Sequence, residues 1–248
     1  MITRTLCVIL FAVRWGLSVQ AAEVIQVDVR PLLTGRTVTT LTDGKLVPWT
    51  KGVDGAGFAD GFMTLEAAVV NGDTNAQALP GDGCFKATAG HPEVRLNFTN
   101  ADGKGCQTHG VAGEGRFSFL VPGRQYQRMM VFMTSAEGPS HLRFQLVYGD
   151  GTLEQRAVVL PDYYNVAPAE ETNIFCLATN LAKWSASGQM AERDQHYIHG
   201  VELHPDASRN LISIQVAKTV PGYLVFWGAT GVTTNQGVAA IKEPSQSP

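Results

Sequence analysis

The sequence predicts an all-β protein, an antiparallel β-sandwich of jelly-roll-like kind with one or two short helices. Three observations predict it. Short apolar runs alternate with polar residues at a period of two. Glycine, proline, aspartate or asparagine bounds each run, and helical spacing is scarce.

Taken along the chain, residues 24–29 read as an opening strand, and residues 65–70 could form a turn or two of helix. Val94, Leu96 and Phe98 alternate with Arg95 and Asn97, and Phe117, Phe119 and Val121 with Ser118 and Leu120. The run 129–133 is apolar on both faces, as is 224–227, so both read as central strands. Phe144, Leu146 and Tyr148 alternate next, and Tyr148-Gly149-Asp150-Gly151-Thr152 has the turn chemistry of a hairpin. Leu177, Leu181 and Trp184 suit a short helix by spacing, although residues 174–177 could equally extend a strand. Residues 201–203 form a late strand, followed by Ile212, Ile214 and Val216 in alternation. One apolar face per strand suits packing against a second sheet.

The ends set the expected boundaries. Arg4 precedes an apolar run over residues 6–13, and Val19-Gln20-Ala21 fits a small-x-small cleavage pattern. Residues 1–21 therefore read as a signal peptide, 22–232 as one sandwich domain and 233–248 as a flexible polar tail. The expected location is secreted or periplasmic. No later apolar run is long enough to insert in a membrane. The whole chain has 19 basic and 22 acidic residues, a net charge of −3. Losing Arg4 and Arg14 with the leader leaves 17 basic residues and a net charge of −5. A mildly acidic, evenly spread balance argues against nucleic acid as a partner.

Cys7 leaves with the leader, and Cys84, Cys106 and Cys176 remain. Cys84 and Cys106 flank a predicted hairpin and could pair in an oxidising compartment; three free thiols is the alternative. The histidines of the 196–204 run do not converge along a strand. His196 and His204 stand roughly 26 Å apart and His199 faces the other way, so all three read as surface residues. Glu192-Arg193-Asp194 reads as a solvated charged loop.

Three motifs in order carry a resemblance. They are Thr39-Thr40-Leu41-Thr42-Asp43-Gly44 leading to Trp49; Leu146-Val147-Tyr148-Gly149-Asp150-Gly151-Thr152 leading to Val159-Leu160-Pro161-Asp162-Tyr163-Tyr164; and the closing 212–216 and 223–228 stretches. Together they resemble the galactose-binding-like sandwiches, the group of discoidin-type domains and carbohydrate-binding modules of exported bacterial proteins. That resemblance implies a secreted, non-catalytic domain whose partner is a glycan or cell-surface polysaccharide. It also raises the expectation that Asp54 and Asp60, in a glycine-rich loop, could hold a structural calcium; no other cofactor is expected.

Sugars are held by aromatic faces over their C–H sides and by carboxylates or amides on their hydroxyls. Trp49, Tyr163, Tyr164 and Trp184 sit beside turn residues, with Asp162 as a neighbouring acceptor, and form the expected ligand-binding set. No activated nucleophile motif occurs, so no catalytic residue is assigned. Two rivals stand beside recognition. A glycoside-active hydrolase or lyase-type enzyme would show carboxylates facing each other. A structural surface protein that binds another protein would show neither a carboxylate pair nor an aromatic platform.

Overall fold

A computed structural model of the chain describes residues 22–55 and 60–234. The proposed leader, and all but the first two residues of the proposed tail, lie outside the described residues. Glu23–Thr234 gathers into one compact unit.

Among the described residues, fifteen strands, one 3-10 turn (Arg30–Leu32) and one α-helix follow in chain order. The first half carries short strands: β1 (Val24–Gln26), β2 (Val38–Thr42), β3 (Lys45–Val47), β4 (Phe62–Met63), β5 (Cys84–Phe85), β6 (Val94–Arg95) and β7 (His109–Ala112), with α1 (Leu65–Val70) after β4. The second half carries the long ones: β8 (Gly115–Arg124), β9 (Tyr126–Ala136), β10 (Ser140–Tyr148), β11 (Leu153–Leu160) and β12 (Ile174–Trp184). β13 (Met190–Leu203), β14 (Leu211–Lys218) and β15 (Tyr223–Thr233) complete it.

The long strands build an antiparallel sandwich. One sheet has the order β1-β15-β9-β13-β12, with β7 also paired to β15; the other has the order β11-β10-β14-β8. From β8 onward, consecutive strands pair directly in the β10–β11 and β12–β13 hairpins, and every other connection crosses from one sheet to the other. The β10–β11 hairpin forms where turn chemistry predicts it. Gly151 takes a φ of 84°, and Asp150 Oδ1 accepts from the Thr152 N–H at 2.9 Å.

Between the sheets lies the main core. Phe117 and Phe119 of β8 and Phe144 and Leu146 of β10 meet Met129 and Val131 of β9 and Phe226 of β15. The outer face of the six-stranded sheet is covered as well. Val38, Phe62, Leu79, Val94 and Phe98, all from the first half, pack on Met130, Phe132, Ile198 and Trp227. This second layer explains the two-sided apolar run at 129–133, because both faces of β9 are dry. It also corrects the reading of the histidines. His196 and His199 are fully buried on β13, since a covered sheet exposes neither parity, while His204 stays in solvent.

The expected helix at 65–70 is present, capped by Thr64, whose Oγ1 accepts from Ala67 N at 3.3 Å. The helical spacing of Leu177, Leu181 and Trp184 is overridden: all three lie on β12, whose register with β13 shifts four times. Thr40 to Val47 forms the β2–β3 hairpin, with Asp43 and Gly44 both at positive φ. Among the described residues no helix is long and apolar enough to cross a membrane.

Candidate functional site

A lysine inside the fold organises a polar centre. Lys183 lies in the run Leu181-Ala182-Lys183-Trp184, near the end of β12, and is only 4% exposed. An ammonium removed from water needs partners at hydrogen-bonding distance. Four oxygens lie within that reach, and a fifth stands slightly farther off. Glu192 Oε1 lies at 2.8 Å, the Tyr163 hydroxyl at 3.0 Å and the Tyr164 hydroxyl at 3.1 Å. Asp54 Oδ2 lies at 3.1 Å and Asp60 Oδ2 at 3.6 Å.

Strand geometry delivers these groups. Glu192 is the direct cross-strand partner of Lys183 on β13, and His196 pairs in register with Leu181. Asn180 and Gln195 both adopt positive φ, which marks the irregular stretches of this hairpin and re-aims the side chains around them. Tyr163 and Tyr164 arrive from the turn after β11. There Asp162 accepts from the N–H of Gly138 at 2.7 Å and of Tyr164 at 3.1 Å, while the Tyr163 N–H donates to Ser135 O at 2.7 Å. Asp54 Oδ1 accepts from the Asp60 N–H at 2.8 Å, holding the two acids together.

The electrostatics follow from burial and pairing. Burial works against charge on Lys183, but the hydrogen bonds from Glu192, Tyr163 and Tyr164 outweigh it and raise its pKa above the ordinary lysine range. Burial likewise opposes charge on Glu192, yet its bonds to Lys183 and Tyr164 leave its carboxyl below the ordinary range. Asp60 goes the other way: burial and the neighbouring Asp54 raise it in spite of Lys183. Burial also pushes the Tyr163 phenol well up. Lys183 and Glu192 thus form an ion pair, and Asp60 is the one carboxyl of the group whose pKa is raised.

His196 closes the floor. Its Nδ1 lies 2.6 Å from the Leu181 carbonyl, which can only accept, so that nitrogen carries the proton of the neutral ring. Nε2 is then a bare acceptor. It stands 3.3 Å from Glu192 Oε2 and makes no hydrogen bond. Burial lowers the pKa of the ring. The Tyr163 and Tyr164 rings sit over it, with centroids 4.9 and 5.0 Å away.

Of the expected ligand-binding residues, Tyr163 and Tyr164 come together here. Only Tyr164 offers much surface, at 42% exposed, while Tyr163 is buried. Asp162 works from behind, shaping the turn. Trp184 is fully buried, its Nε1–H donating to Asp73 Oδ2 at 2.8 Å, so its ring belongs to the small core over α1. Trp49 is half-buried against Gly61, where an added Cβ would come within 2.1 Å of the Trp49 ring. Asp54 and Asp60 come together around the ammonium of Lys183. Among the described residues no group of three or more acids, histidines or cysteines is arranged to hold a metal.

Cys84 and Cys106 stand as free thiols rather than a pair, as does Cys176. The 192–194 segment is strand, not loop, and its Glu192 is the central acid of the site. Lys183 itself is the residue that sequence reasoning passes over. Its signal is a lone cation inside an otherwise apolar strand end.

Compared with known proteins, the chain matches no protein-family model and no curated protein sequence.

Proposed function

We propose that this is an exported carbohydrate-recognition domain whose ligand docks at the Tyr164–Glu192 edge of the Lys183 centre. One observation carries the reading. Tyr164 presents an exposed ring while its hydroxyl is pinned, donating to Glu192 Oε1 at 2.9 Å and accepting from Lys183 at 3.1 Å. A ring already held in place covers the apolar side of a sugar without losing rotamer freedom on binding. Glu192, held as a carboxylate and 41% exposed, is an acceptor for sugar hydroxyls beside it. The leader-like N-terminus and the ordered motifs shared with galactose-binding-like sandwiches support export and the glycan class.

A second reading rests on a different feature of the same centre. Asp54, Asp60 and Glu192 surround Lys183, and Tyr164 shares a proton contact with Glu192. Carboxylates that differ in their readiness to hold a proton are the raw material of acid–base chemistry on glycosidic bonds.

A glycan array probed with the purified protein, with and without calcium, tests the first reading, and a reducing-end assay on the retained glycans separates the second. Binding without chain cleavage, weakened about tenfold or more by Tyr164→Ala, is the expected result. Cleavage of the retained glycans supports the enzyme instead, and an array with no retained glycan removes the first reading.

A further inference from the structure

The outer face of the four-stranded sheet is a second surface with its own chemistry. It carries a groove of about 510 Å³, lined by residues from all four strands. Strand register sorts the exposed side chains into rows that run across the strands. Gln155 of β11, Gln145 of β10, Gln215 of β14 and Ser118 of β8 stand directly opposite one another, four polar neutral groups in a line. The next row reads Ala157, Arg143, Ala217, Arg116.

Both guanidinium groups are free. Among the described residues neither Arg116 nor Arg143 has an ion-pair or hydrogen-bond partner, whereas Arg30, Arg95, Arg124, Arg128, Arg156 and Arg209 each pair with an acid. No aspartate or glutamate lines the groove. In a chain of net charge −3, a face that holds two unpaired cations and no acid is an anion-facing surface. The small Ala157 and Ala217 leave room beside each guanidinium, which binds carboxylate or sulfate oxygens in two-point fashion.

We propose that this face binds a linear acidic polysaccharide, laid along the rows and across the strands. Arg116 and Arg143 sit two strands apart, roughly 10 Å, and engage successive acidic groups of the chain. The three glutamine amides each offer a donor and an acceptor to the hydroxyls between them. Two cations flanked by neutral amides suit a sparsely charged polymer better than a nucleic acid, whose dense phosphates call for a larger basic patch. The surface is distinct from the Lys183 centre and stands without it.

Affinity electrophoresis of the whole protein in gels containing polygalacturonate, dextran sulfate or neutral dextran tests this. Either acidic polymer should retard the protein, neutral dextran should not, and added salt should release it. The two acidic gels distinguish carboxylate from sulfate as the preferred group. Arg116→Ala and Arg143→Ala should each weaken retardation by roughly fivefold, with thermal melts unchanged because both side chains are exposed. Lys45→Ala, which removes one charge from the β2–β3 hairpin, should have no effect. Equal retardation by neutral dextran, equal loss with Lys45→Ala, or an unaffected double arginine variant would overturn the proposal. So would equally tight binding of a single-stranded oligonucleotide at the same salt.

Discussion

Lys183 shows how one buried residue can impose order on a site. Its ammonium draws in two phenols and three carboxylates from three separate stretches of chain. Removing one partner of a buried charge cluster leaves the others uncompensated, which costs more than the interaction itself contributes. Lys183→Met should therefore destabilise the fold by about 3 to 5 kcal/mol, measured by urea unfolding. Lys183→Arg should fail to restore full stability, because a planar fork cannot point at oxygens arranged around a single nitrogen. A loss under 1 kcal/mol for Lys183→Met would mean the acids are solvated after all.

At the scale of elements, the β12–β13 hairpin does most of the positioning, and it does so through its irregularities. A regular ladder would place Lys183, Glu192 and His196 by strict alternation; the shifts in register bring all three to one centre. Gln195 is held at a φ of 76°, a conformation that a β-branched side chain tolerates poorly. Gln195→Val should accordingly be less stable than Gln195→Gly by about 1 to 2 kcal/mol, read from the two urea midpoints. Equal midpoints would show that the backbone there is not fixed in the left-handed region.

The same irregularity decided what could be read in advance. The β10–β11 hairpin was legible because its turn chemistry is local: Gly149-Asp150-Gly151 needs no other part of the chain. The alternating runs of β8, β10 and β14 were legible because one face of that sheet meets solvent. Trp184 and the histidines at 196 and 199 were misread because the other sheet is covered on both sides, so alternation carried no information about exposure. The Lys183 centre was legible only in fragments. The adjacent Tyr163 and Tyr164 point to a sugar and the loop acids Asp54 and Asp60 to a cation, and nothing in the spacing joins the two pairs, since they meet through tertiary packing alone.

For the molecule as a whole, histidines desolvated by the fold link stability to pH. Burial lowers the pKa of His109, His196 and His199 in the fold. The unfolded chain binds those protons near pH 6.5, before the folded chain does. Their contribution is therefore complete above the ordinary histidine range and is lost as pH falls through it toward the lowered folded values. Glu192 adds a loss in the same direction at lower pH, as its depressed carboxyl finally takes a proton. Asp60, whose pKa is raised, offsets part of that loss. The melting temperature should hold level from pH 8 to about 7 and decline below about 6.5. A melting temperature that rises on acidification through this window would contradict the desolvation of the three rings.

The ligand-binding role proposed for the Lys183 centre comes down to one exposed ring. Calorimetric titration of the best array glycan into the wild type, Tyr164→Phe and Tyr164→Ala, each with its own thermal melt, isolates that ring most directly. The account predicts that Tyr164→Ala weakens binding about tenfold or more while staying folded, and that Tyr164→Phe, which keeps the ring but not its tether, falls in between. Wild-type affinity in a folded Tyr164→Ala protein would contradict it.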